Sequence, residues 1–410
     1  MGVAPSVATS GTRPIAVMTR LLRWPPAVAL LAGILINMTG TSSAQPEDTR
    51  RDVVSGNKGT TVPLSDPVLP APSAPGPTVT VQVSEYVDGT GTQDVTGPLV
   101  DLLRRVPDGA RIIFAARARY RVEGTIQLVN RSRIILDGNG AQFVATERGD
   151  GNRAHWRIVG GSDIVLRRMV VRGPNPDGGK STAFRDDLQW QHGIDIRGSR
   201  RVLIDEVAVS DVYGDCVYVG GGSTGAWAED TQIRAHDCRR NGRQGIAVTA
   251  ARRVLVEDSR LGQIGLMTVD LEPNSSWTGV TDVTIRDNRI GAGPRQQFLG
   301  ISGKGPVARV MVQRNVLVNK ALTVLVAAEY QPTASIAVLA NRSDTAYKEP
   351  GGAAMVFQHV HGLWVQGNLV PLTGYNMALL ALKCTTDVTI VGNAYPGGLS
   401  QVRGAARECG

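Results

Sequence analysis

Aromatic residues make up only 5% of this 410-residue chain, which also holds just four cysteines and five histidines. With so few large rings, a stack of tightly packed aliphatic strands joined by many turns fits better than a wide globular core, and the 48 glycines agree. No Cys-x-x-Cys or His-Glu-x-x-His spacing occurs, so nothing in the sequence marks a metal site. Runs of acidic residues of the kind that cage calcium are missing as well. The net charge is +8, yet the basic residues form no long run and carry no interleaved aromatics. That leaves no nucleic-acid-binding motif. The charge reads as arginine used freely along the chain, with an acidic polysaccharide partner as the alternative.

Long apolar runs are absent too. Residues 27–36 are too few for a comfortable membrane span. Arg20 and Arg23 before them and Ser42-Ser43-Ala44 after them have the layout of an export signal cleaved ahead of Gln45. Residues 1–44 are therefore expected to be a signal peptide, with 1–17 an upstream extension if Met18 is the true start. No cysteine lies near the cleavage point, which argues against a lipid anchor. A secreted protein, extracellular or in the cell wall and free of the membrane after cleavage, is the expectation. Residues 45–77 are rich in Pro, Ser, Asp and Thr and read as a disordered linker.

What the chain does have is a ruler. Asn288, Asn315, Asn341, Asn368 and Asn393 fall at intervals of 27, 26, 27 and 25 residues. Each follows an apolar doublet at minus five and minus three: Val283/Ile285, Val310/Val312, Ile336/Val338, Leu363/Val365 and Val388/Ile390. A doublet spaced by two is a strand with one buried face, and its recurrence marks the coil of a solenoid. Weaker copies run upstream: Ile134/Leu136, Ile164/Leu166, Val202/Ile204, Thr231/Ile233 and Val254/Val256. The intervals, from 23 to 38 residues, are too irregular for helical repeats. The expectation is an all-β, single-stranded parallel β-helix of about ten coils over 131–410, its asparagines stacked inside one turn.

Residues 78–130 read as an N-terminal cap with the first strands. Leu99, Leu102, Leu103 and Val106 sit at helical spacing before Pro107-Asp108-Gly109, predicting a short amphipathic helix that covers the open end of the solenoid. Cys216 with Cys238, and Cys384 with Cys409, are each about one coil apart, and export permits disulfides. The register, however, puts Cys238 over Val209, which leaves the first pairing open.

Aligning the coils on their doublets also aligns a second strand. Its outward column reads Asp195, Tyr218, Ala247, Asp270, Gly300. Two residues on, it reads Arg197, Gly220, Thr249, Glu272, Ser302. Just before the strand it reads His192, Asp215, Gln244, Met267, Gln297, with Arg243 alongside. One face of neighbouring coils thus collects His192, Asp195, Arg197, Asp215, Tyr218, Arg243, Gln244, Asp270 and Glu272. Glycosidic-bond cleavage uses one carboxylic acid and one carboxylate. Asp270 and Glu272 emerge on one face roughly 7 Å apart and are the acid/base candidates, with Asp215 the third carboxylate. His192 and Asp215 are close enough in register for an ion pair. The remaining residues form the expected substrate-binding surround, with no metal and no cofactor.

This layout resembles the pectate-lyase-like right-handed parallel β-helix superfamily, secreted enzymes and adhesins that bind polysaccharides along one face. Val87-Asp88-Gly89-Thr90-Gly91-Thr92-Gln93-Asp94, then Pro107-Asp108-Gly109 and Leu136-Asp137-Gly138-Asn139-Gly140, are similar to the opening region of that superfamily, and the likeness covers roughly 78–404. Gly193-Ile194-Asp195-Ile196, Gly214-Asp215-Cys216 and Gly245-Ile246-Ala247-Val248 are similar in layout to polygalacturonases. Where that family carries Asn-Thr-Asp, a paired Asp-Asp and a His, this chain has Trp190-Gln191-His192, Gly214-Asp215 and Gln244, so only Asp215 matches a catalytic carboxylate. The resemblance implies right-handed coiling, a monomer, a polysaccharide partner and, first, a glycoside hydrolase. Its lyase or epimerase branch would use His192, Tyr218, Arg197 or Arg243 as base, with calcium on acids such as Asp195 and Asp270. Those two acids are three rungs apart, roughly 14 Å, too far to share one ion. A non-catalytic surface or phage-tail-like carbohydrate-binding protein is the other class.

Overall fold

The computed structural model describes residues 69–72, 79–295, 297–327, 333–349, 352–373, 377–398 and 400–403. The signal segment, most of the 45–77 linker and Cys409 lie outside them.

Strands without helical interruption can bury their apolar doublets only by stacking coil on coil, and that is the architecture. A 19-stranded sheet and an 11-stranded sheet, both parallel throughout, form the walls of a right-handed β-helix. The second sheet runs from Ile126–Val129 to Ser400–Arg403, so coiling begins inside the segment assigned to the cap and adds a rung to the expected ten. The doublets pair in the expected register, for example Val254↔Val283↔Val310↔Ile336↔Leu363. The helix Thr96–Arg105 buries Leu99, Leu102 and Leu103 against the first coils. The scarce aromatics concentrate just behind it, where Phe114, Tyr120, Phe143 and Trp156 form one cluster of edge-to-face and stacked rings.

The asparagine ladder is formed. Each Nδ2 donates to the next asparagine's Oδ1 at 3.0, 2.9, 3.0 and 2.9 Å from Asn288 to Asn393. Each Oδ1 also accepts a backbone amide of the preceding coil. The ladder thins upstream. Ser259 N donates to Asn288 Oδ1 and His236 N to Ser259 Oγ, and then Val207 and Met169 fill the slot.

Much of the excess arginine is accounted for here. At one bend of the solenoid, arginine and aspartate alternate in left-handed backbone and pair across coils: Arg201 with Asp163 (2.7 Å), Arg253 with Asp230 (2.6 Å) and Arg309 with Asp282 (2.5 Å). The disulfide left open by the register is present. Val209 does pair with Cys238, yet Cys216 reaches inward from the start of the second wall and closes the bond across the interior, with Cα atoms 5.9 Å apart. Cys384 is disulfide-bonded as well.

Candidate active site on the second sheet

The second sheet carries the polar columns in the register the repeat dictates. Arg157, Asp195, Tyr218, Ala247, Asp270 and Gly300 stack in that order on adjacent strands. Glycine is required just before two of these strands. A Cβ on Gly245 would lie 2.5 Å from the Thr268 carbonyl oxygen, and one on Gly193 would lie 2.4 Å from Val209 Cγ1. These close approaches let His192 and Gln244 turn onto the outer face directly before their strands.

The cluster is knit together rather than spread along the surface. Asp215 Oδ2 pairs with Arg243 Nη1 at 2.8 Å, and its Oδ1 accepts the Gln244 amide at 2.9 Å. Arg243 Nη2 lies 3.9 Å from Glu272 Oε2. Gln244 Nε2 donates to Asp270 Oδ2 at 2.8 Å, while its Oε1 accepts the Met267 amide at 2.7 Å. His192 stacks on Tyr218 with ring centres 4.9 Å apart, and the Tyr218 hydroxyl bonds Thr249 Oγ1. Arg197 covers Tyr218 and Arg243 covers Trp190 as cation–π contacts.

The columns point outward, but their residues are not solvated: His192, Asp195 and Asp215 are fully buried and Asp270 is 1% exposed. Their own arginines and rings close over them. His192 and Asp215 meet as the register expects, with Nδ1 3.2 Å from Oδ2 and 3.1 Å from the Asp215 backbone nitrogen. Burial pushes the imidazole pKa down, and the lasting charge partner of Asp215 is Arg243.

Asp195 is held from both sides, by Arg157 Nε and Arg197 Nε, each at 2.8 Å. Its oxygens are committed to arginines and not presented to a cation. Among the described residues no group of three or more His, Cys, Asp or Glu is arranged to hold a metal ion.

The carboxyls on Val269–Leu271 and just beyond it differ from the rest. Burial, reinforced by the nearby Glu272 charge, drives the Asp270 pKa well above the ordinary carboxylate range. Its Oδ1 has no hydrogen-bond partner among the described residues. Burial also raises Glu272, opposed by Arg243 and aided by Asp215. Gly300, one rung further on, leaves room beside Asp270 Oδ1 that the Met267 thioether fills.

The repeat register missed Arg157, which lies one coil before the aligned columns and pairs with Asp195. It also missed Trp277, 80% exposed in the loop that follows Glu272. An exposed indole in a loop inserted at the end of a site strand was the available signal.

No protein-family profile matches the chain. Over an alignment of 157 residues that covers 36% of the chain, it is 23% identical to the SPbeta prophage-derived uncharacterized protein YorA of Bacillus subtilis. The match covers 27% of that protein, so the chain aligns with about a quarter of the curated relative. Among solved structures, an endo-xylogalacturonan hydrolase from Aspergillus tubingensis superposes with TM-score 0.57 at 13% identity, over 80% of this chain and 96% of that one. The family 28 exopolygalacturonase of Yersinia enterocolitica gives 0.55 at 10% identity, over 80% and 76%. A hyperthermoactive exopolygalacturonase from Thermotoga maritima gives 0.53 at 11%, over 80% and 94%. At such identities the likeness is one of fold, and it defines the class: a right-handed parallel β-helix protein.

Proposed function

We propose that the chain is an exported, monomeric, carbohydrate-active protein that hydrolyses a glycosidic bond on the second-sheet face. Asp270 is assigned as general acid and Glu272 as the carboxylate that activates water or attacks the sugar. The observation that carries this reading is the contrast between two neighbouring carboxyls, both raised by burial. Asp270 is 1% exposed and raised well above the carboxylate range, whereas Glu272 is a quarter exposed and faces Arg243, which opposes its rise. Hydrolysis of a glycosidic bond uses one protonated and one charged carboxyl, set apart by environment. Asp215 holds Arg243 in place, and Arg243 in turn favours charge on Glu272. Swinging the flexible Met267 thioether aside would open Asp270 to a leaving oxygen. Trp190 and Trp277, at 37% and 80% exposure, are the ring-stacking platforms for flanking sugars. The structures this chain superposes on include polysaccharide hydrolases by name, and a disulfide-bonded chain with an export-like N-terminus suits action outside the cell.

The lyase or epimerase alternative needs a base, and its candidates are compromised. Burial raises the Tyr218 pKa, and the free lone pair of His192 is taken by a backbone amide. A second reading is favoured by the closure of the cluster: with His192, Asp195 and Asp215 fully buried, the face binds polysaccharide without cleaving it.

The test is the purified chain incubated with a broad panel of polysaccharides. New reducing ends without unsaturated, ultraviolet-absorbing products support hydrolysis. Unsaturated products replace it with elimination, and binding with no new ends leaves the non-catalytic reading.

A further inference from the structure

The net charge of +8 is not spread evenly over the solenoid. Past its bend the 19-stranded sheet continues as a strip of short strands, from Arg119–Arg121 through Asp237–Arg239, Arg260–Gly262 and Arg289–Gly291 to Arg342–Ser343. The central residue of each three-residue strand is buried, so the residues on either side of it form two outward columns. Along them stand Arg119, Arg121, Arg172, Arg239, Arg260, Arg289 and Arg342, against Asp237 and, at the far end, Asp344. Arg121 is taken by Glu123 and Arg239 by Asp237. Arg119, Arg260, Arg289 and Arg342 are exposed and have no ion-pair partner among the described residues.

Arg260 and Arg289 are direct neighbours on adjacent parallel strands, roughly 4.8 Å apart. Like charges set opposite each other cost stability. At the bend the same molecule avoids that cost by placing an aspartate beside each arginine, as in Arg201 with Asp163 and Arg309 with Asp282. A repeat that alternates sign at the bend, yet stacks one sign on the strip, points to an anion supplied from outside. Towards its N-terminal end the strip opens into a cavity of about 360 Å³ lined in part by Arg119, Arg172, Arg240 and Asp211. Asp211 holds Arg172 and Arg240 at 3.2 and 2.8 Å, so three guanidiniums share one carboxylate there.

We propose that this strip binds an anionic polysaccharide, laid across the stacked coils with one of its units in the cavity. From Arg119 to Arg342 the column crosses eight strand spacings, or roughly 38 Å, while the two columns stand only about 7 Å apart. A strip that long and that narrow fits one extended polymer chain and not a double helix. No aromatic side chain stands in either column to stack on the bases of a single-stranded nucleic acid. Guanidinium forks match carboxylate and similar oxyanion groups in pairs. Ala208, Ser210, Gly262 and Gly291 leave the floor between the arginines low enough for sugar rings to lie on it. The surface is a different wall from the candidate active site, and binding there is independent of cleavage on the second sheet.

The experiment measures binding of the full chain to dextran sulfate over a range of salt, with unmodified dextran and duplex DNA as comparison ligands. Salt-sensitive binding of dextran sulfate and none of dextran is expected. Arg260→Gln with Arg289→Gln and Arg342→Gln should weaken it roughly tenfold to hundredfold and lower the salt slope by about three, one for each contact removed. A charge-matched control, Arg104→Gln with Arg105→Gln and Arg133→Gln, removes exposed arginines elsewhere and should leave affinity and slope nearly unchanged. All six positions are exposed, so the thermal midpoints should hold. No binding of dextran sulfate, no loss in the first variant, or equal losses in both variants overturns the proposal. Duplex DNA bound as tightly as dextran sulfate, with the same loss on substitution, also overturns it and makes a nucleic acid the partner.

Discussion

The five asparagine-bearing coils and the coils from His192 to Glu272 are wound from the same strand repeat, yet they use their polar side chains in opposite ways. In the first group every asparagine Nδ2 and Oδ1 is matched to a neighbour on the next coil or to a strand carbonyl. In the second group Asp270 is buried with one oxygen, and His192 with one nitrogen, unmatched among the described residues. A repeating polar residue can satisfy itself by stacking. A mixed cluster leaves groups over, and leftover buried polarity is where chemistry or ligand binding is found.

The comparison breaks most visibly at Asp270. Asp270→Asn keeps the shape of a buried carboxyl whose neutral form burial favours, so stability should hold while turnover on a substrate found by the panel falls about 10²–10⁴-fold. Unchanged turnover, or a large drop in unfolding free energy, would place the residue with the scaffold. The mirror experiment is Asn315→Leu. It strips acceptors from the Asn288 amide and side chain and the donor from the Ile285 carbonyl. A loss of roughly 3–5 kcal/mol in urea unfolding is expected, with activity per folded molecule unchanged.

His236 stands where the ladder gives way to the irregular coils, and it offers a pH test. Burial lowers its pKa from the ordinary 6.5 to about 4 in the folded chain. Between those values the unfolded chain binds a proton that the folded chain refuses. Stability should therefore be undiminished above about pH 6.5 and fall as pH drops toward 4, by up to roughly 3 kcal/mol. His155 and His192, whose pKa values burial also lowers, add to the slope of the denaturation midpoints across that range, and His236→Asn should remove the His236 share. The smallest effect is expected at the loop. Trp277→Ala should weaken polysaccharide binding by roughly 0.5–1.5 kcal/mol, or about twofold to twelvefold in Kd, with no change in thermal midpoint.

The solenoid was legible because its cause is periodic. Doublets such as Val283/Ile285 and the asparagine slot repeat at nearly constant spacing, so one-dimensional counting recovers both walls and the columns on them. The strand at Ile126–Val129 falls among the first strands read in 78–130 but outside the doublet register, so it is not counted there as a coil, and the Arg–Asp bend ladder escaped because its members alternate from coil to coil. Within the site, the register placed His192, Asp215, Gln244 and Asp270 side by side. Their burial and their choice of partner were not readable, since both depend on where Arg243, Arg197 and Trp190 fold.

The sequence by itself determined the parallel β-helix, its register and the face on which the acids gather, because strand stacking converts sequence interval into spatial neighbour without further information. Only the tertiary structure decided that Asp215 takes Arg243 as its charge partner, that burial raises the Asp270 pKa well above the carboxylate range, and that Cys216 meets Cys238 across the interior. Those outcomes depend on side-chain reach, burial and competition for partners across coils, and the repeat interval carries none of that.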